Sequence, residues 1–149
     1  MNTLRQKLIF AVFFLNCLAL FFFGIVYVSS AKIMPYHQQV IGGTWENLTP
    51  KLQLLFISIL KAAGTGFIVT AVSCFILLLI PFRKHQSWSF WTILLILNIS
   101  NSSLTYITLN LALKTGVVTP WLFSLTGLLT TLLMVPVFIT VKTNHKIQR

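Results

Sequence analysis

Three ionisable side chains of different kinds fall within one stretch of the chain, Pro35 to Gly66: His37, Glu46 and Lys61, in PYHQQVIGGTWENLTPKLQLLFISILKAAGTG. Glu46 is the sole carboxylate side chain of the 149 residues. A turn at Gly42-Gly43 could fold His37 onto Glu46, giving a pair able to move a proton, and Lys61 would add a cation. Each residue also has a plainer reading. A carboxylate just ahead of a helix N-terminus is favourable there and would pair with Lys51 or Lys61. A lysine near the end of an apolar span extends its amine to the headgroups. His37 has no second histidine or cysteine at ligand spacing, so neither a metal site nor a cofactor is expected.

The elements that must position these groups follow from composition. The chain is 56% hydrophobic and 8% charged, against about a quarter charged in an ordinary soluble domain. Four apolar runs each reach the roughly 20 residues that a helix needs to cross about 30 Å of hydrocarbon. The segment between the first two, 29–51, is far below domain size. The expectation is one all-α membrane domain, an antiparallel bundle of four transmembrane helices at about 8–28, 52–82, 88–113 and 118–140. Eleven Lys and Arg against one acid give +10, but they stand at span ends, where they meet anionic lipid headgroups, so nucleic acid is not an expected partner. With both termini and the Arg83 turn on one side, that side collects Arg5, Lys7, Arg83, Lys84, Lys142, Lys146 and Arg149; the other has Lys32, Lys51 and Lys114. The excess places both termini in the cytoplasm.

Along the chain, Leu8 to Val28 is longer than the core of a cleavable signal and is expected to be retained as a span. Pro35, Gly42-Gly43 and Pro50 punctuate the outward 29–51 connection into a compact loop or short interfacial helix. Thr49-Pro50 reads as an N-cap followed by proline at the first helical position, and Thr119-Pro120 repeats the pattern before the last span. The second run, about 30 residues or roughly 45 Å, exceeds the hydrocarbon thickness, which puts Lys61 at the outer boundary. Pro136 should kink the last span. Cys17 and Cys74 fall at similar depth and could touch as apolar fillers.

In the third span Asn98, Asn101, Thr105 and Thr108 share a helical face that should turn inward, since lipid offers it no partners. Asn98 and Asn16 lie at matching depths and could bond across the bundle. The same face could instead floor a cavity opening outward beneath the His37 loop, lined by Asn101, Thr105, Tyr106 and Lys61.

Met34-Pro35-Tyr36-His37, Gly42, Trp45, Gln53, Lys61, Gly64 and a Pro81-Phe82-Arg83 turn resemble a group of small, uncharacterised bacterial four-span inner-membrane proteins. In size and span count the chain also resembles the DoxX-like proteins in outline. The resemblance implies a bacterial inner-membrane setting and carries no activity. The function expected is binding of a lipid or other amphiphile at His37, Trp45, Glu46, Lys61, Asn101, Thr105 and Tyr106. One alternative is an accessory subunit docked on a membrane-protein partner. A second is an enzyme using His37, Glu46 and Lys61.

Overall fold

The computed structural model is all-helical over the described residues, 4–147, with side chains described as far as Thr140. The orientation expected from Lys142, Lys146 and Arg149 therefore rests on side chains outside the described residues. Helix α1 spans Leu4–Ser29, the short α2 Pro35–Ile41, α3 Pro50–Leu77, α4 Ser87–Thr115, α5 Trp121–Leu132 and α6 Met134–Ile147; a 3-10 turn, Trp45–Asn47, precedes α3, and a wide π turn, Leu78–Phe82, ends it. Four stretches, Leu4–Ser29, Pro50–Phe82, Ser87–Thr115 and Trp121–Thr140, are long and apolar enough to cross a membrane.

Helix ends explain why the runs stop where they do. Pro50 opens α3, and the Leu52 N–H donates to the Thr49 hydroxyl at 3.4 Å, the expected cap. At the far end Pro81 brings no N–H to the ladder, and the helix widens and closes there. The Gln86 N–H donates to the Pro81 carbonyl and the His85 N–H to that of Phe82, both at 3.0 Å. These nested bonds require a left-handed residue after the helix, and His85 supplies it at φ 61. Its Nδ1 lies 3.3 Å from Gln6 Nε2, joining the turn to the start of α1. His85→Val should lower stability by about 1–2 kcal/mol, because a β-branched residue is strained at positive φ, while His85→Gly should stay within about 1 kcal/mol of wild type. Thermal unfolding in mild detergent measures both.

The last span differs from expectation at its start and agrees at its kink. Helix α5 begins only at Trp121, and no side chain caps it. The Thr119 hydroxyl donates instead to the Thr108 carbonyl of α4 at 2.7 Å, because the tight α4–α5 connection holds it beside a carbonyl with a spare lone pair. Pro136 has no N–H for the Leu132 carbonyl four residues back, and the helix breaks there, between α5 and α6.

Helix α1 packs chiefly on α3, and α4 on α5. The first pair is set by two glycines in mutual contact. A Cβ on Gly24 would stand 2.8 Å from the Gly64 carbonyl oxygen, and one on Gly64 would stand 2.8 Å from the Gly24 oxygen and from Tyr27 Cβ. Lipid is as apolar as leucine, so close backbone approach and dense contact, rather than burial alone, must hold such a pair. Further along the interface Cys17 and Cys74, both buried, lie thiol to thiol as the matching depths suggested. Nearer the Arg83 turn, Phe13 meets Phe90 at 5.4 Å and Phe82 at 6.4 Å between ring centres, and Phe90 stacks on Phe138 at 3.9 Å. This aromatic layer joins α1, α4 and α6 to the end of α3.

Candidate functional site

The residues singled out for proton chemistry stand apart. Glu46 pairs with Lys32 at 2.7 Å, both side chains well exposed, rather than with Lys51 or Lys61. The reason is local: the chain doubles back through α2, which sets position 32 beside the 3-10 turn. Lys32 holds the Glu46 carboxyl below the usual carboxylate range. Lys61 is exposed on α3. Trp45 is buried, and its carbonyl accepts from Gln53 Nε2 at 2.9 Å, which fixes the turn on α3. Among the described residues no hydrogen bond or ion pair joins His37, Glu46 and Lys61.

His37 belongs to a different arrangement. The Tyr36 and Tyr27 hydroxyls are 2.7 Å apart, tying α2 to α1, and the His37 ring lies against that of Tyr36 with its centre 4.0 Å away. His37 Nδ1 is buried without a partner. Burial pushes the imidazole below its ordinary value and, with the Tyr27 hydroxyl, pushes the Tyr36 phenol up. A depressed folded value means that the unfolded segment binds the extra proton more readily. Stability from His37 is thus complete above about pH 6.5 and is lost as pH falls from there towards the lower folded value. Protection factors of residues 34–43, measured by hydrogen exchange against the intrinsic rate at each pH, should therefore fall between pH 8 and pH 5, and His37→Gln should remove most of that fall.

The concave site lies deeper, between the two helix pairs. A half-open cavity of about 260 Å³ is bounded by α1, α4 and α5, with Phe67 of α3 and Tyr27 at its sides. Its walls are mostly apolar, from Leu20, Phe23, Leu104 and Phe123, and its polar groups are neutral: Asn16, Asn101, Thr108, Ser124, Thr126 and Thr130. Leu15 on α1 and Phe123 on α5 line it and are exposed, at 60% and 54%, so its mouth opens sideways between these helices. The expected mouth beneath the His37 loop is replaced by this lateral one, because α1 touches α3 far more extensively than α5.

Of the expected lining, Asn101 is in place and buried. The Thr105 hydroxyl is spent on the Asn101 carbonyl at 2.8 Å and on Ser124 Oγ at 2.9 Å, pinning α4 to α5. Tyr106 is 70% exposed on the outer surface of α4. Asn98 donates to its own helix at Leu94, whereas Asn16 meets Thr130 at 3.5 Å and Asn101 across Gly127, so the anticipated Asn16–Asn98 bond is corrected. A Cβ on Gly127 would stand 2.9 Å from Asn16 Oδ1, 2.9 Å from Asn101 Oδ1 and 3.0 Å from Asn101 Nδ2. Gly127 and Tyr27 were not anticipated as site residues. The available signal was an isolated glycine inside an apolar span, which marks close approach of something polar or backbone.

No group of three or more His, Cys, Asp or Glu side chains comes together among the described residues. No protein-family model matches the chain, and no curated protein or solved structure is significantly similar to it.

Proposed function

We propose that the protein is a bacterial inner-membrane binder of a single amphiphile, held in the cavity between α1, α4 and α5. The observation that carries this reading is the cavity itself: apolar walls, a cluster of neutral polar groups at one place, and a mouth turned to the side where lipid would stand. At about 260 Å³ it is larger than the ~150 Å³ hollow that admits benzene and below the size of a drug-sized site, which suits one slim chain or ring and not a two-tailed phospholipid.

The reading places the chain as an antiparallel four-helix bundle with cytoplasmic termini. Asn16 lies about 18 Å along α1 and Asn101 about 21 Å along α4 by helical rise, and the two meet at Gly127. Two helices that reach one point after equal travel start from the same side. The Gln6–His85 contact and the aromatic layer support the same arrangement. The basic residues at that end favour the cytoplasm and its anionic headgroups.

A second reading, an accessory subunit, draws on one observation. Helix α3 with its π turn spans 33 residues, about 50 Å, and on its first turns Leu54, Leu55 and Ile59 are 70%, 53% and 56% exposed. Photolabelling in nanodiscs separates the two. A diazirine-bearing single-chain amphiphile should label α1 and α5 residues at the mouth, such as Leu15 and Thr126, in saturable fashion. Labelling that is unsaturable and spread evenly over lipid-facing positions would refute the binding reading.

A further inference from the structure

The polar groups of the cavity are not interchangeable, and most are already engaged. The hydroxyls of Thr108, Thr126 and Thr130 donate to carbonyls of their own helices at 2.6, 2.8 and 2.9 Å, and Ser124 Oγ donates to the Trp121 carbonyl at 3.0 Å. Asn16 Nδ2 donates to the Val12 carbonyl at 2.9 Å and to Thr130 Oγ1 at 3.5 Å, so both of its N–H bonds are used. The hydroxyls keep only acceptor lone pairs, and the unused donor capacity lies on the amides. Asn101 is 5% exposed, and its Nδ2 has no partner. Asn16 Oδ1 accepts nothing among the described residues, and it faces the Asn101 amide across Gly127, where the missing side chain leaves the two amide ends open to each other. The site thus offers the Asn101 amide N–H groups as unused donors beside two unused amide acceptors, Asn16 Oδ1 and Asn101 Oδ1, with no charged side chain in its lining.

We infer that the ligand is a neutral single-chain amphiphile with a hydroxyl head, which accepts from Asn101 Nδ2, donates to Asn16 Oδ1 and lays its chain along Leu20, Phe23 and Phe123. This rests on the binding reading above and deepens it. A hydroxyl is the smallest neutral group that both donates and accepts. An ether or ketone would leave Asn16 Oδ1 unpaired, and an unpaired buried polar atom opposes binding. A carboxylate or phosphate would have to shed its water with no cation to receive it. The hydroxyl could belong to a long-chain alcohol or to a monoacylglycerol, which share this chemistry.

Competition against the photolabel tests it, with dodecan-1-ol, monodecanoylglycerol, dodecyl methyl ether and dodecanoate as competitors in nanodiscs. The two hydroxyl compounds should displace label from the mouth at least about tenfold better than the ether and the carboxylate, and the better of the two identifies the source. In Asn101→Leu, and independently in Gly127→Ala, which keeps both amides but pushes their ends apart, label should still enter while that preference shrinks to within about threefold. Equal competition by alcohol and ether in the wild type, or an unchanged preference in both variants, would overturn the hydroxyl assignment and leave amphiphile binding standing. Absence of saturable label at the mouth with every compound would remove both.

Discussion

Gly64→Leu, and likewise Gly24→Val, should unfold in mild detergent at least about 10 °C below the wild type, a loss of about 3 kcal/mol or more. At these positions the obstructing atoms include backbone: the Gly64 oxygen lies 2.8 Å from a Cβ on Gly24, and the Gly24 oxygen 2.8 Å from one on Gly64, so neither side can yield by turning a rotamer. The helices must separate instead. That would part Cys17 from Cys74, which lie along the same interface. Gly66→Ala, two residues on, is the contrast: nothing lies within 4 Å of its added Cβ, and the change should be neutral or stabilising by up to about 1 kcal/mol through helix propensity. If the Gly64 and Gly66 variants melted together, the α1–α3 crossing would have to be rejected as the contact that holds this pair.

The second large effect is expected on binding rather than on folding. Gly127→Leu would send a side chain between the Asn16 and Asn101 amides and on into the cavity. The atoms that it meets are side-chain ends, which can swing aside, so the fold should survive with a melting temperature within a few degrees of wild type. The space would be filled. Saturable labelling at the mouth should fall at least about tenfold, since a ligand would have to displace a side chain packed in its place. Unaltered labelling in a folded Gly127→Leu protein would place the ligand elsewhere.

The parts of this structure readable beforehand are those governed by local chemistry. Four spans, the Thr49-Pro50 start, the break ahead of Pro136 and the inward turn of Asn101 follow from helix length, missing N–H groups and the intolerance of lipid for amides. What stayed hidden was which helices are neighbours. In a soluble helix the apolar stripe marks the buried face, but here both surroundings are apolar: Leu54 is exposed and Leu60 is buried on the same helix, and their types do not distinguish them. Sequence places Asn16 by depth but not by azimuth, and depth alone pairs it with Asn98, whereas its surroundings are Thr130, Gly127 and Asn101. Glu46 had three lysines within reach along the chain, and the turn through α2, not sequence separation, selects Lys32. The cavity depends on a glycine on α5 opposite two amides on α1 and α4, a meeting of three distant segments that no local pattern records.

Native mass spectrometry of the wild-type protein, released from its own membrane in mild detergent beside Gly127→Leu, tests the central claim most directly. The account predicts one bound neutral amphiphile of low mass per chain in the wild type and its loss in the variant. A bare wild-type chain, or a bound mass that the Gly127→Leu protein keeps at the same occupancy, would contradict it.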